Sequence, residues 1–145
     1  IYEDEQVMCF LDIRPLHLGH ALVIPKAHYA RLDECPAQLA GACMSVVPAL
    51  SRALMKASNT DSFNIMINSG RTAMQEVFHV HYHIIPRSHR DGMSGTWGQW
   101  TVSKLERQNP NGLLQSIKQN LETEMAKDND NNSTSTNANT EQNKL

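Results

Sequence analysis

The stretch Phe78-His79-Val80-His81-Tyr82-His83-Ile84-Ile85-Pro86-Arg87 constrains this chain more than any other. Histidine alternates with Val80, Tyr82 and Ile84, and period-two alternation is the pattern of a β-strand, whose successive side chains leave on opposite faces. The pattern predicts a strand with His79, His81 and His83 on one face and Val80, Tyr82 and Ile84 turned to a core. Three imidazoles on one wall are too polar to serve as packing. A metal, a substrate charge or a catalytic task has to account for them.

With 145 residues the chain can build one domain with a real core, but not two. Its formal net charge of −2 provides no overall basic field, so neither nucleic acid nor an anionic membrane is an expected partner. No uninterrupted apolar run reaches the length of a membrane span, and Ile1-Tyr2-Glu3-Asp4 does not look like a signal peptide. The chain does not open with methionine, and part of the natural N-terminus is expected to precede it. Cys9, Cys35 and Cys43 are odd in number and form no C-x-x-C pair. That argues against a disulfide scaffold or a zinc knuckle and for a reducing setting, cytoplasmic or nuclear.

Gln6–Asp12 reads as a first strand and His20–Pro25 as a second, and the short connection makes an antiparallel pair. Pro36 opens a segment to about Ala57 in which Leu39, Cys43, Val46, Val47, Leu50 and Leu54 recur at helical spacing. Pro48 falls inside that helix and is expected to kink it. Phe63–Asn68 is a third strand, and the histidine strand follows a polar loop. Asp91–Gly98 is a glycine-punctuated loop, but it does not follow a strand and open a helix, so it is a weak phosphate cradle. Leu113, Leu114, Ile117 and Leu121 space like one face of a last, short helix over about 111–125. The fold expected is α+β, an antiparallel sheet of about five strands with one long and one short helix. The domain is expected to occupy 1–126. Residues 127–145, rich in Asn, Asp, Ser and Thr, are expected to form a disordered tail, because they bury too little to offset ordering entropy.

Isolated histidines are most simply solvated or structural, and His17, His28 and His89 are read so. The triad is different. A His-x-His pair can hold zinc, but no carboxylate lies within this strand, and the Asp-His continuation of H-x-H-x-D-H zinc hydrolases is missing. Phosphate is the better match. A neutral imidazole is a competent nucleophile, its neighbours can stabilise phosphate oxygens, and phosphoryl transfer needs mainly positioning and charge stabilisation. Asn68 and Gln75 supply neutral amides nearby in sequence.

These residues resemble the histidine triad (HIT) superfamily of nucleotide hydrolases and transferases. The matching blocks are Tyr2-Glu3-Asp4-Glu5, Phe10-Leu11-Asp12-Ile13-Arg14-Pro15, Gly19-His20-Ala21-Leu22-Val23-Ile24-Pro25-Lys26-Ala27-His28, Asn68-Ser69-Gly70, Gln75 and His79-Val80-His81-Tyr82-His83-Ile84-Ile85. The resemblance implies a HIT-like fold, usually a homodimer, and a nucleotidyl-histidine intermediate resolved by water. It implies that His81 is the nucleophile, His83 a phosphate contact and His79 an orienting residue. His20 matches a histidine near the phosphates, Asn68 a polar residue near the leaving group and Asp12 an acid on the ribose hydroxyls. Phe10 and Ile13 match residues around the base, although each alone would read as core.

The expected activity is hydrolysis of P–N or P–O–P bonds in purine nucleotides such as nucleoside phosphoramidates or dinucleoside polyphosphates. The alternatives are a non-catalytic nucleotide- or partner-binding module and a zinc-dependent hydrolase. No cofactor is expected: His28 matches a zinc ligand of some members, but their zinc cysteines have no counterpart in this sequence. Two departures stand out, Met74 where glycine is frequent and Glu76 where well-known members carry Ser or Thr. A carboxylate facing the site would repel phosphate, so Glu76 is expected to alter leaving-group preference or to point away.

Overall fold

The computed structural model describes residues 1–89, 91 and 110–142, with the side chains of the last helix over 111–131. The glycine-punctuated loop, apart from Asp91, lies outside the described residues. Five strands, β1 (Tyr2–Glu3), β2 (Val7–Leu11), β3 (Ala21–Pro25), β4 (Ser62–Met66) and β5 (Tyr82–Arg87), make one antiparallel sheet in the order β1-β2-β3-β5-β4. Strand β5 is thus inserted between β3 and β4, which puts the end of the histidine stretch inside the sheet, one strand from its β4 edge.

The register explains the two faces. Phe10 stands opposite Leu22, Leu22 opposite His83, and His83 opposite Met66, so these four share one side of the sheet. The alternate residues Val7, Cys9, Ala21, Val23, Tyr82 and Ile84 face the core with Val80, and Val80, Tyr82 and Ile84 are each at most 2% exposed. The strand proper begins only at Tyr82. Residues 78–81, expected as part of it, run outside the hydrogen-bonded ladder, and Val80 N–H is taken by the carbonyl of Tyr29 at 2.8 Å.

The expected single helix divides into α1 (Ala37–Ser45) and α2 (Val47–Ser58), with the break at Val46. Pro48 lies in the first turn of α2, where its missing N–H costs no bond within α2, and the interruption expected of it falls two residues earlier, at Val46. Leu50, Ala53 and Leu54 of α2 fill the core against the sheet. Asn59 ends α2 in the left-handed conformation at φ 53°, a role Asn tolerates. Residues 37–58 reach the length and mean hydropathy, 1.2, that a membrane crossing would need, but their apolar side is the domain core.

Helix α3 (Pro110–Gln142) packs on α2 through Ile117 and Leu121. It is 33 residues long, so it is neither short nor confined to 111–125. Beyond Lys127, where the sequence predicts disorder, the backbone continues as helix, and Asp128 is ion-paired with Arg52 at 2.6 Å. At the same interface, the buried carboxylate of Glu124 meets Arg52, Lys56 and Lys127.

Candidate active site

Loop 12–20 and loop 67–81 bring the histidines together at the ends of β3 and β5. Asp12 N–H donates to the carbonyl of His20 at 2.9 Å, closing loop 12–20 on itself. Gly19 allows the turn: its φ is +82°, and an added Cβ would meet Pro86 Cγ at 3.4 Å.

The hydrogen bonds assign a tautomer to each ring. The main-chain N–H of Leu16 donates to His20 Nδ1 at 3.1 Å, so the ring proton of His20 is on Nε2. His20 Nε2–H donates to His83 Nδ1 at 3.0 Å between the nitrogens, which leaves the proton of His83 on Nε2. In His81, Nδ1 lies 2.7 Å from the carbonyl oxygen of His79. A carbonyl can only accept, so Nδ1 carries a proton, and in that tautomer the lone pair of His81 is on Nε2. The His81 and His83 rings meet edge to face at 4.8 Å between centroids.

Burial keeps the inner pair uncharged. Desolvation lowers the pKa of His20 to about 4 against the pull of Asp12, and lowers that of His83 to about 4, with His20 and His81 adding repulsion. His20 Nε2 lies 3.8 Å from Asp12 Oδ2, but a neutral imidazole makes that approach polar and not ionic. A proton-carrying donor next to a nucleophilic lone pair is an arrangement suited to attack on phosphorus.

His79 has a different place. Its Nε2 donates to the carbonyl of Pro25 at 2.8 Å, and its Nδ1 lies 3.2 Å from His28 Nδ1. His28, read from sequence as structural, is therefore the partner of a triad residue. Two imidazole nitrogens are half of a four-ligand structural zinc site, and among the described residues no third His, Cys, Asp or Glu joins them. Asp12, His20 and His83 do cluster, with one donor atom from each within 4.8 Å of the others. As the tautomers stand, a proton occupies the space between the two imidazoles, so this trio fits a hydrogen-bonded relay better than a cation.

The remaining candidates separate. Phe10 is 37% exposed and Ile13 94% exposed, so neither is core. Asn68 is half-buried, with Nδ2 on the carbonyl of Met74 at 3.4 Å. Gln75 departs from expectation: it is buried, its Oε1 accepts from Gly70 N–H, and its Nε2 donates to the carbonyls of Ala30 and Val77. Its amide braces loop 67–81 from within and is spent on the main chain, so it is not a donor toward the site. His17 bridges to Ser88 Oγ at 3.2 Å, as a structural histidine would. Sequence reasoning gave no role to Arg14, whose guanidinium donates to Glu76 Oε2 at 2.6 Å; no local pattern signals a pair separated by 62 positions.

Comparison with known proteins gives one answer at the level of family. An adenylylsulfatase of Arabidopsis thaliana is 45% identical over 107 residues, covering 74% of this chain and 51% of that protein. The chain thus spans about half the length of that relative. An adenosine 5'-monophosphoramidase of Saccharomyces cerevisiae is 38% identical over 106 residues, covering 73% of this chain and 63% of that one. Among solved structures, a zinc-bound histidine triad family protein of Mycobacterium smegmatis superposes with a TM-score of 0.71 at 33% identity, over 85% of this chain and 83% of that one. The sequence model of the HIT domain matches residues 1–90, and with these relatives it establishes that the chain belongs to the HIT domain family.

Proposed function

We propose that this chain is a nucleotide hydrolase that cleaves P–N or P–O–P bonds of purine nucleotides through a nucleotidyl-histidine intermediate. The observation that carries the reading is the 2.7 Å contact between His81 Nδ1 and the His79 carbonyl, which leaves His81 Nε2 as a lone pair beside His83. His81 Nε2 forms a bond to phosphorus while the bond to the leaving group breaks. Water then displaces Nε2 and gives up a proton, releasing the nucleoside monophosphate. His83 donates from Nε2 toward phosphate oxygen, and His20 holds His83 in that tautomer. Asp12 takes the ribose hydroxyls, Asn68 lies on the leaving-group side, and the exposed side chains of Phe10 and Ile13 receive the base. The two relatives named for hydrolysis of adenylyl compounds support an adenosine nucleotide as substrate.

None of these steps calls on a metal, and the setting is cytoplasmic; the three free thiols, two of them buried, suit a reducing compartment. The protein acts as a homodimer. Among the described residues strand β4 is an edge of the sheet carrying exposed Phe63 and Ile65, and an apolar edge invites pairing with a second copy. Ile65→Lys should then yield a monomer by sedimentation, whereas an unchanged dimer would remove β4 from the interface.

The decisive experiment measures turnover of adenosine phosphoramidate, diadenosine polyphosphates and guanosine analogues by the protein and by His81→Ala. The expected loss is about four decades, equivalent to about 5.5 kcal/mol of transition-state stabilisation, with folding intact. Near-normal turnover by His81→Ala would overturn the nucleophile assignment.

A further inference from the structure

Among the described residues, Arg14 and Glu76 form the one ion pair that joins loop 12–20, carrying Asp12 and His20, to loop 67–81, carrying His79 and His81. The main chain ties Arg14 to Asp12 and places Glu76 three residues before His79. Arg14 N–H donates to Asp12 Oδ1 at 2.8 Å. Glu76 follows the buried, main-chain-bound Gln75 and precedes the turn in which His79 N–H meets the carbonyl of Val77 at 3.0 Å. The two side chains themselves are 67% and 73% exposed.

His20 and His83 are held neutral by burial. Lys26 is engaged by Glu3, Arg31 by Asp33, and Arg71 lies over the Phe78 ring at 5.1 Å. Arg14 is the permanent cation anchored to Asp12. Its bond to Glu76 is exposed, and such pairs hold by at most about 1 kcal/mol. An oxyanion that offers a guanidinium two parallel bonds can therefore displace the carboxylate at little cost.

We propose that Arg14 exchanges Glu76 for the anionic leaving group of a nucleotide substrate, so that this pair sets the preference for tetrahedral oxyanion leaving groups over amines. The inference rests on the hydrolase reading above. As His81 Nε2 bonds to phosphorus, the P–O bond breaks with its electron pair on the departing oxygen. Sulfate or a phosphate leaves without needing a proton, and Arg14 meets the charge that develops. An amine has to collect a proton as it leaves, and a guanidinium, which does not give one up at neutral pH, cannot supply it. Glu76 competes for Arg14 and so tempers the oxyanion preference.

The test compares kcat/KM of the full chain on adenylyl sulfate, on diadenosine triphosphate and on adenosine phosphoramidate. The variants are Arg14→Gln, Arg14→Lys, Glu76→Gln and the double variant Arg14→Gln/Glu76→Gln. Arg14→Gln should lower the ratio of oxyanion to amine substrate about tenfold, Arg14→Lys should recover part of it, and Glu76→Gln should raise it a few-fold. In the double variant the gain from Glu76→Gln should vanish, because its partner is gone. The sulfate and phosphate arms show which oxyanion Arg14 favours. Turnover with the ratio unchanged in Arg14→Gln overturns this inference and leaves the hydrolase reading standing. No turnover of any substrate by the unaltered protein overturns that reading and the inference with it.

Discussion

His81 Nδ1 lies 2.7 Å from the carbonyl oxygen of His79, so the backbone of one triad residue selects the tautomer of another's side chain. The His79 imidazole takes no part in that bond; it is tied to Pro25 and His28. The two histidines should therefore respond very differently to truncation. His79→Ala keeps the carbonyl and should reduce kcat by less than about two decades, against about four for His81→Ala. Equal losses in steady-state kinetics would mean that the His79 ring itself acts on substrate.

The buried His20–His83 pair makes stability depend on pH in a definite direction. Both rings have folded-state pKa values lowered to about 4 from an ordinary 6.5, so the unfolded chain binds more protons between those values. Stability should be fully retained above pH 6.5 and should fall as the solution is acidified toward pH 4. Each tenfold change in proton affinity is worth about 1.4 kcal/mol, so the loss is on the order of a few kcal/mol for the pair. Thermal melts across this range check it, and His83→Gln should flatten the slope. A flat profile in the unaltered protein would contradict the neutral assignment.

Glu124 should produce a second acid transition, lower than the first. Hydrogen bonds from Lys56, Lys127 and Arg52 hold its pKa at about 2, below the ordinary 4.5, so its contribution is present above that value and lost as pH falls toward 2. The carboxylate is buried where α3 meets α2. Glu124→Gln should cost about 2 kcal/mol, the scale of charge-assisted hydrogen bonds lost at a partly covered interface. Urea unfolding measures it, and a change below about 0.5 kcal/mol would show that apolar packing alone docks α3.

Met74 carries a local strain that a single substitution can relieve. Its φ of 65° lies in the left-handed region, which costs a non-glycine residue roughly 1–2 kcal/mol. The side chain is 50% exposed, so its removal forfeits little burial. After subtracting the extra freedom of glycine in the unfolded chain, Met74→Gly should stabilise the protein by up to about 1 kcal/mol. A lower denaturation midpoint would show that the Met74 side chain makes contacts that outweigh the strain.

Much of this protein is written locally. Alternation at Val80, Tyr82 and Ile84 identifies the core-facing set because side-chain direction in an extended chain depends only on its own backbone. The first two strands, their antiparallel pairing and the apolar stripe of 37–58 follow from the same short-range rules, and the matching blocks in order identify the family.

Tertiary structure decided everything that depends on a partner far along the chain. The tautomer of His20 comes from the amide of Leu16 and passes to His83 across 63 positions, and no pattern within the histidine stretch encodes it. Gln75 turned inward because carbonyls at Ala30 and Val77 converge on it, His28 reached His79, and Arg14 reached Glu76. The alternation therefore determined which side chains face the core, while the amide of Leu16, the ring of His20 and the carbonyl of His79 decided which nitrogen of His20, His83 and His81 holds a proton. Side-chain direction is a property of one segment of backbone; protonation is a property of the surroundings that folding brings to it.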